Sequence, residues 1–264
     1  MEEYSMAETR LVIPDLAGQA VLITGASTGI GAGLAAAFAA QGALVGLHYN
    51  QSAEKAEAVA AGIRAAGGTV VLVRADATRS AELERAVAET QAAFGRLDGL
   101  INNAGGMVGR KPYGEMDDDY YDAVMDLNAR SVIAASRAAI PHLKVRGGFI
   151  INTTSIAARN GAGPGAGLYG SSKAFVSNVT RGMAKELISS GIRVNAVAPG
   201  VIETPFHERY STEAQLKAML ATIPQARLGV VDDCIGAYLF LASARLSGYI
   251  IGQTIEVNGG QLMP

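Results

Sequence analysis

The chain of 264 residues holds a single cysteine, Cys234, and no tryptophan. One thiol can form neither an internal disulfide nor a metal cage, so nothing points to an oxidising compartment. A basic surplus is also missing, since 22 Lys and Arg face 24 Asp and Glu, for a net charge of −2. Nucleic-acid surfaces rest on basic patches, and none is legible here. No block of like charge is longer than Asp117-Asp118-Asp119. The mean hydropathy is +0.22, yet no run approaches the roughly 18 uncharged apolar residues that a membrane span requires. Residues 1–10 carry Glu2, Glu3 and Glu8 without an apolar stretch, and so do not read as a signal peptide. The expectation is a soluble, cytoplasmic protein with no membrane or nucleic-acid partner.

Charge itself is scarce at 17% of residues, where about 25% is usual. Glycine is the surplus. It supplies 32 residues, about 12% of the chain against about 7% in average proteins. Hydrophobic residues make up 49%, enough for a sizeable core and too many for disorder. Length alone suggests roughly 1.8 domains at about 150 residues each.

From Ala20 onward, short apolar runs alternate with Ala-rich amphipathic stretches. Val21-Leu22-Ile23 leads into 29–41, 43–47 into 53–66, and Val70-Val71-Leu72-Val73 into 80–94. Gly99-Leu100-Ile101 is followed by a glycine-rich loop and one long helical pattern over about 118–145. Phe149-Ile150-Ile151, a helix over about 168–189, a strand at 192–198, helices near 211–221 and 231–243 and a strand at 254–257 complete the series. Strands without polar alternation are covered on both faces by helices. The reading is therefore a single-domain α/β Rossmann fold, a doubly wound parallel sheet of about seven strands with right-handed crossovers. Residues 1–17 are set apart as an N-terminal extension, with the single domain over 18–264.

Thr24-Gly25-Ala26-Ser27-Thr28-Gly29-Ile30-Gly31 falls where the first strand turns into the first helix. Residues without Cβ let a pyrophosphate reach the backbone, and the helix N-terminus offers free N–H groups and a positive dipole end. The bland alternative is a tight turn with no ligand. No Gly-Lys-Ser/Thr follows, which argues against a P-loop kinase.

Tyr169 and Lys173, four apart on a predicted helix, share one face. A phenol near pKa 10 is a poor acid or base at neutral pH, and a nearby ammonium favours the phenolate. Ser155, at the end of the preceding strand, is placed to bond a substrate oxygen. Taken singly, such a Tyr and Lys are more often a solvated pair; downstream of a dinucleotide loop they read as catalytic.

These segments resemble the short-chain dehydrogenase/reductase family over essentially all of residues 18–261. The glycine loop matches Thr-Gly-x-x-x-Gly-x-Gly, and Asn102-Asn103-Ala104-Gly105 matches Asn-Asn-Ala-Gly. Asn128 in Leu127-Asn128-Ala129, Tyr169-Gly170-Ser171-Ser172-Lys173 and Pro199-Gly200 followed by Thr204 match its other motifs. By that resemblance Tyr169 is the acid/base, and Lys173 lowers its pKa and holds the ribose. Ser155 orients the carbonyl, Asn128 supports a proton-relay water, and Asp76, with Ala77 beside it, meets the adenine. The cofactor set is completed by Gly25, Ser27, Thr28, Gly29, Ile30, Gly31, Asn103, Ala104, Gly105, Pro199, Gly200, Ile202 and Thr204. Asn102 and Asn128 can equally serve caps or the core. The chain departs from the pattern at one point: the family serine stands thirteen residues before the tyrosine, where this chain has Ile156. Ser155 is the candidate and Thr154 the fallback.

The second strand ends Leu47-His48-Tyr49-Asn50-Gln51-Ser52 without the carboxylate that takes an NAD ribose. Tyr49, Asn50 and Ser52 therefore tilt the expectation towards NADP(H) over NAD(H), unless they merely cap the next helix. The resemblance makes 18–264 an NAD(P)-binding catalytic domain with a substrate lid at about 201–225. Arg110, Lys111 and Arg159, with Phe206 and His207 of that lid, surround the expected mouth, either to attract an anionic substrate or as solvated loop charges. A lone lid histidine is no metal site, and no metal is expected.

The function read from this is hydride transfer between nicotinamide and a small carbonyl or secondary alcohol, of the sugar, sugar-acid or 2-keto-acid type. A 3-oxoacyl thioester on an acyl carrier protein is the alternative, and a silent dinucleotide-binding sensor or scaffold the rival from another class. Small and apolar residues such as Ala134-Ala135, Ala138-Ala139 and Ala174-Phe175-Val176 suggest subunit contacts, and the family habit makes the expectation a homotetramer.

Overall fold

Val21 and Ile23 face one side of the first strand and Leu22 the other, and all three are fully buried. Such two-sided burial is what uniformly apolar strands demand. The computed structural model describes residues 12–264. The elements run β1 (Ala20–Ile23), α1 (Gly29–Ala40), β2 (Leu44–Tyr49), α2 (Ala53–Ala65), β3 (Thr69–Arg74), α3 (Ser80–Phe94) and β4 (Gly99–Asn102). They continue α4 (Asp118–Met125), α5 (Ser131–Leu143), β5 (Gly148–Thr153), α6 (Ala157–Asn160), α7 (Gly167–Leu187) and β6 (Ile192–Pro199). Last come α8 (Pro205–Tyr210), α9 (Glu213–Leu220), α10 (Val231–Ala242), α11 (Ala244–Ser247) and β7 (Thr254–Val257).

The seven strands form one parallel sheet in the order β3-β2-β1-β4-β5-β6-β7. On one face α1, α2 and α10 bury Phe38, Ile63 and Tyr238 with Phe149 of β5. On the other, α3, α5 and α7 bury Leu83, Leu143 and Leu187 with Ile150 and Val194. The winding reverses between β1 and β4. The crevice outside the carboxyl ends of these two strands is where such sheets take ligands.

The structure bears on three expectations. The extension assigned to residues 1–17 lies outside the described residues only up to 11; beyond that, Ile13 and Leu16 are buried in the core and Asp15 accepts from Ser243 Oγ at 2.8 Å. The single helix over 118–145 is divided by a π-helical turn, Asp126–Arg130, whose centre is Asn128. Finally, Ala134, Ala135, Ala139 and Val176 are spent inside the monomer at 2% exposure or less, leaving Phe175, 40% exposed, as the outward apolar group of that set.

Candidate active site

The glycine loop is fixed by tight contacts. Gly25 takes φ +65°, and a Cβ there would come 2.9 Å from Ala104 Cα. Thr24 Oγ1 accepts from the amides of Asn103 and Ala104, each at 3.0 Å. Asn103 Nδ2 returns bonds of 3.0 Å to the carbonyls of Thr24 and Gly25. The turns after β1 and β4 are thus laced together, and the Asn103 amide serves the backbone.

At the start of α1 the capping position is Thr28, and no side chain caps the helix. The amides around Ser27, Thr28, Gly29, Ile30 and Gly31 make up an N-terminus of the kind that binds phosphate. Thr204 enters from the lid, so close that a Cβ on Gly29 would touch its Cγ2 at 3.3 Å. Pro199 accepts from Ile156 N at 2.9 Å, Gly200 N donates to Val257 at 2.8 Å, and buried Ile202 bridges to Gly229. Asp76 Oδ1 accepts from Thr78 N and Oγ1 at 2.9 and 2.8 Å, and those bonds, the backbone one foremost, hold its carboxyl below the usual range. Ala77 beside it is buried. An uncapped helix start, a carboxylate at the end of β3 and glycines at the switch point fit an adenine dinucleotide.

Across the crevice, β5 ends at Thr153, and Thr154 and Ser155 follow it beside α7. Lys173 is 3% exposed, and its Nζ donates to Thr153 O at 2.9 Å. Thr154 Oγ1 donates to Lys173 O at 2.8 Å and lies 2.6 Å from Ser177 Oγ, so the fallback hydroxyl is consumed by the core. Ser155 hydrogen-bonds Tyr169 and accepts from Ala157 N at 3.1 Å. In the loop ahead of α7, Gly161 and Gly165 take positive φ.

The resemblance implied that Lys173 lowers the Tyr169 pKa. Here burial wins: it pushes the phenol up to about 12, against the Ser155 hydrogen bond, and pushes Lys173 down to about 8. The ammonium is 5.9 Å from the Tyr169 ring centre and directed to a carbonyl. Asn128 is fully buried behind the same site. Its Nδ2 donates to Gly106 O and Val124 O at 2.8 and 2.9 Å, and its Oδ1 accepts from Gly106 N at 3.0 Å. This amide braces the loop after β4. That loop contains Val108 at φ +65°, a conformation costly for a β-branched residue.

The cations around the mouth already have partners. Arg110 donates from Nε to Tyr210 O at 3.1 Å and from Nη1 to Pro164 O at 3.0 Å. Lys111 pairs with Asp117 at 2.5 Å, and Arg159 with Glu256 of β7 at 3.3 Å. Phe206 does reach the site, 5.7 Å from the Tyr169 ring centre and 5.2 Å from those of His207 and Tyr210. His207 Nδ1 is 2.9 Å from Ser211 Oγ within the lid, and burial lowers its pKa. Among the described residues no group of three or more His, Cys, Asp or Glu can hold a metal ion, and no helix is long and apolar enough to cross a membrane.

Two functional details escaped the sequence reading. His48 tethers the glycine loop from behind, and Arg74 stands opposite Tyr49 in the β2–β3 register.

A parallel sheet with a dinucleotide cradle at its switch point and a hydroxyl–phenol–ammonium group facing it defines a nicotinamide-dependent oxidoreductase. The chain belongs to the short-chain dehydrogenase/reductase family. Residues 25–261 match the family model described as Enoyl-(Acyl carrier protein) reductase. The chain is 40% identical to a 3-oxoacyl-(acyl-carrier-protein) reductase of Synechocystis over 94% of this chain and 98% of that protein. It is 39% identical to a reductase of the same description, FabG, from Staphylococcus aureus, over 93% and 98%. Among solved structures it is similar to the NADH-dependent reductase A1-R' responsible for alginate metabolism, with 41% identity, a TM-score of 0.88 and coverage of 95% and 100%. A short-chain dehydrogenase from Burkholderia cenocepacia in complex with NADP aligns at 36% identity and a TM-score of 0.87, covering 93% and 98%.

Proposed function

We propose that the protein reduces a small polar ketone of the sugar or sugar-acid type. The observation that carries this is the contact of the lid with the site: Phe206 lies against Tyr169, and Arg110 ties Tyr210 to Pro164. A site roofed this way suits a substrate that is wholly enclosed. The similarity to a reductase responsible for alginate metabolism supports the same class. The second reading, a 3-oxoacyl thioester delivered on an acyl carrier protein, is favoured by the curated relatives. Assaying ketoses, uronic-acid-derived ketones, 2-keto acids and acetoacetyl thioesters with both nicotinamides separates the two. The sugar-type ketones are expected to give the highest kcat/KM, and a thioester leading by about tenfold or more would reverse the assignment.

A bound reduced nicotinamide supplies hydride to the carbonyl carbon. The chain's own residues do the rest. Ser155 Oγ bonds the carbonyl oxygen, and Tyr169, kept protonated by burial, donates its phenolic proton to that oxygen as the alcohol forms. Lys173 stands behind Tyr169 to hold the ribose, and Asn128 acts at one remove by holding Gly106 in place.

For the cofactor, NADP(H) is the proposed preference. Tyr49 and Asn50 end β2 without a carboxylate, the Ser52 side chain makes no helix-capping bond, and Arg74 is the neighbouring residue on β3. Solved relatives include one complexed with NAD and one with NADP. Arg74→Ala is expected to raise the KM for NADPH about tenfold while leaving that for NADH within about threefold. Equal effects on both would end the assignment. A cytoplasmic homotetramer remains the proposed state, supported by the exposed Phe175 and Ile188 of the α7 region. A monomer by light scattering at micromolar concentration would exclude it.

Lid closure carries its own prediction. Arg110→Ala removes both ties and is expected to raise the substrate KM about tenfold with kcat within about threefold, since two charge-assisted bonds to carbonyls are lost. The check is steady-state kinetics at saturating cofactor.

A further inference from the structure

His48 is 2% exposed near the end of β2, and both ring nitrogens and its carbonyl have backbone partners in the turns after β1 and β3. Its Nδ1 accepts from Gly25 N at 2.9 Å. Its carbonyl accepts from the next amide, Ala26 N, at 2.8 Å. Its Nε2 lies 3.0 Å from Ala75 O, immediately before Asp76. An amide can only donate and a carbonyl can only accept, so the two contacts fix a neutral imidazole protonated at Nε2. One ring therefore joins the turn where a pyrophosphate would sit to the corner where an adenine would sit.

We propose that His48 is a positioning residue for the dinucleotide, holding the Gly25 turn in its binding shape through Nδ1 and doing so only while the imidazole is neutral. The inference rests on the dinucleotide reading of that loop and deepens it. Gly25 sits at φ +65°, and its amide finds its acceptor in this ring. A protonated ring would set a second N–H against the Gly25 N–H, and the turn would have to move. Burial already disfavours that charge, as the lowered pKa of His48 reflects.

The charged groups around the ring are few. Asp76, on the turn after β3, is the carboxylate that faces it, with Arg79 and Glu82 beside Asp76 in turn. On its own strand end the neighbour is Tyr49, with Arg74 opposite on β3. Residues 23–40 of β1, the glycine loop and α1 hold no titratable side chain, and neither do residues 101–105 after β4.

The test is calorimetric binding of NAD+ and NADP+ to the whole enzyme, independent of turnover. At about pH 8, His48→Leu is expected to weaken binding of both about tenfold or more, because a buried amide loses its acceptor. His48→Asn, whose Oδ1 can stand in for Nδ1, is expected to stay within about threefold of the parent. On acidification to about pH 5 the parent should bind NAD+ progressively more weakly, by at most about tenfold per pH unit for one proton, and His48→Asn should not follow it. Equal affinity for His48→Leu and the parent, or equal loss in the Leu and Asn variants, overturns the proposal. If His48→Leu does not fold, the acid profiles decide: parallel profiles for the parent and His48→Asn overturn it. Absence of binding of either dinucleotide to the parent at about pH 8 would instead overturn the dinucleotide reading, and this inference with it.

Discussion

Tyr169→Phe should lower kcat for carbonyl reduction about a thousandfold while leaving the affinity for the dinucleotide within about threefold. The substitution removes one oxygen from a ring that is otherwise held by packing against Phe206, so the site keeps its shape and loses its proton. The direction of the pH dependence follows from the same group. Burial raises the phenol to about 12, and a raised pKa keeps the acid form present through neutral pH and lost only as pH climbs towards that value. Reduction, which needs the protonated phenol, should hold its rate across the neutral range. Oxidation, which needs the phenolate, should rise with pH. Ser155→Ala should cost about a hundredfold in kcat, whereas Thr154→Ala, which removes bonds to Lys173 O and Ser177, should show itself chiefly as a lower Tm. Intact turnover in Tyr169→Phe would return the protein to the class of silent dinucleotide binders.

The fold was legible because its signals are local and repeated. Val21-Leu22-Ile23 and its counterparts lack polar alternation, and a strand buried on both faces needs none. The glycine loop and the Tyr169–Lys173 spacing were legible because each is contained within a few consecutive residues. What was not legible depended on partners remote in sequence. The choice between Ser155 and Thr154 turns on which hydroxyl the core consumes, and Ser177 consumes that of Thr154. Arg110 reads as a free cation until Tyr210, 100 residues on, is brought to it. Ala134 and Ala135 read as spare apolar surface until α5 is packed on the sheet. His48 reads as one more strand residue until β1 and β3 are placed on either side of it.

The second large effect concerns a single methyl group. Gly31→Ala is expected to weaken dinucleotide binding about a hundredfold and to lower Tm, although Ala is the better helix former. A Cβ at position 31 would stand 2.2 Å from the Gly25 carbonyl oxygen and 2.5 Å from Asn103 Nδ2. Neither atom can step aside alone. The carbonyl belongs to a turn whose amide is bonded to His48, and the Asn103 amide holds both Thr24 O and Gly25 O. The methyl is therefore accommodated only by displacing the turn, and with it the backbone donors presented to a pyrophosphate. Gly62→Ala is the matched control. Gly62 lies within α2, where a Cβ would meet nothing within 4 Å. There the same substitution should leave affinity unchanged and stabilise the fold by up to about 1 kcal/mol. Isothermal titration with NAD+ and NADP+ alongside thermal melts of both variants reads the two quantities separately. Unaltered affinity in Gly31→Ala would mean that the turn tolerates displacement, and would remove the steric basis for placing the pyrophosphate there.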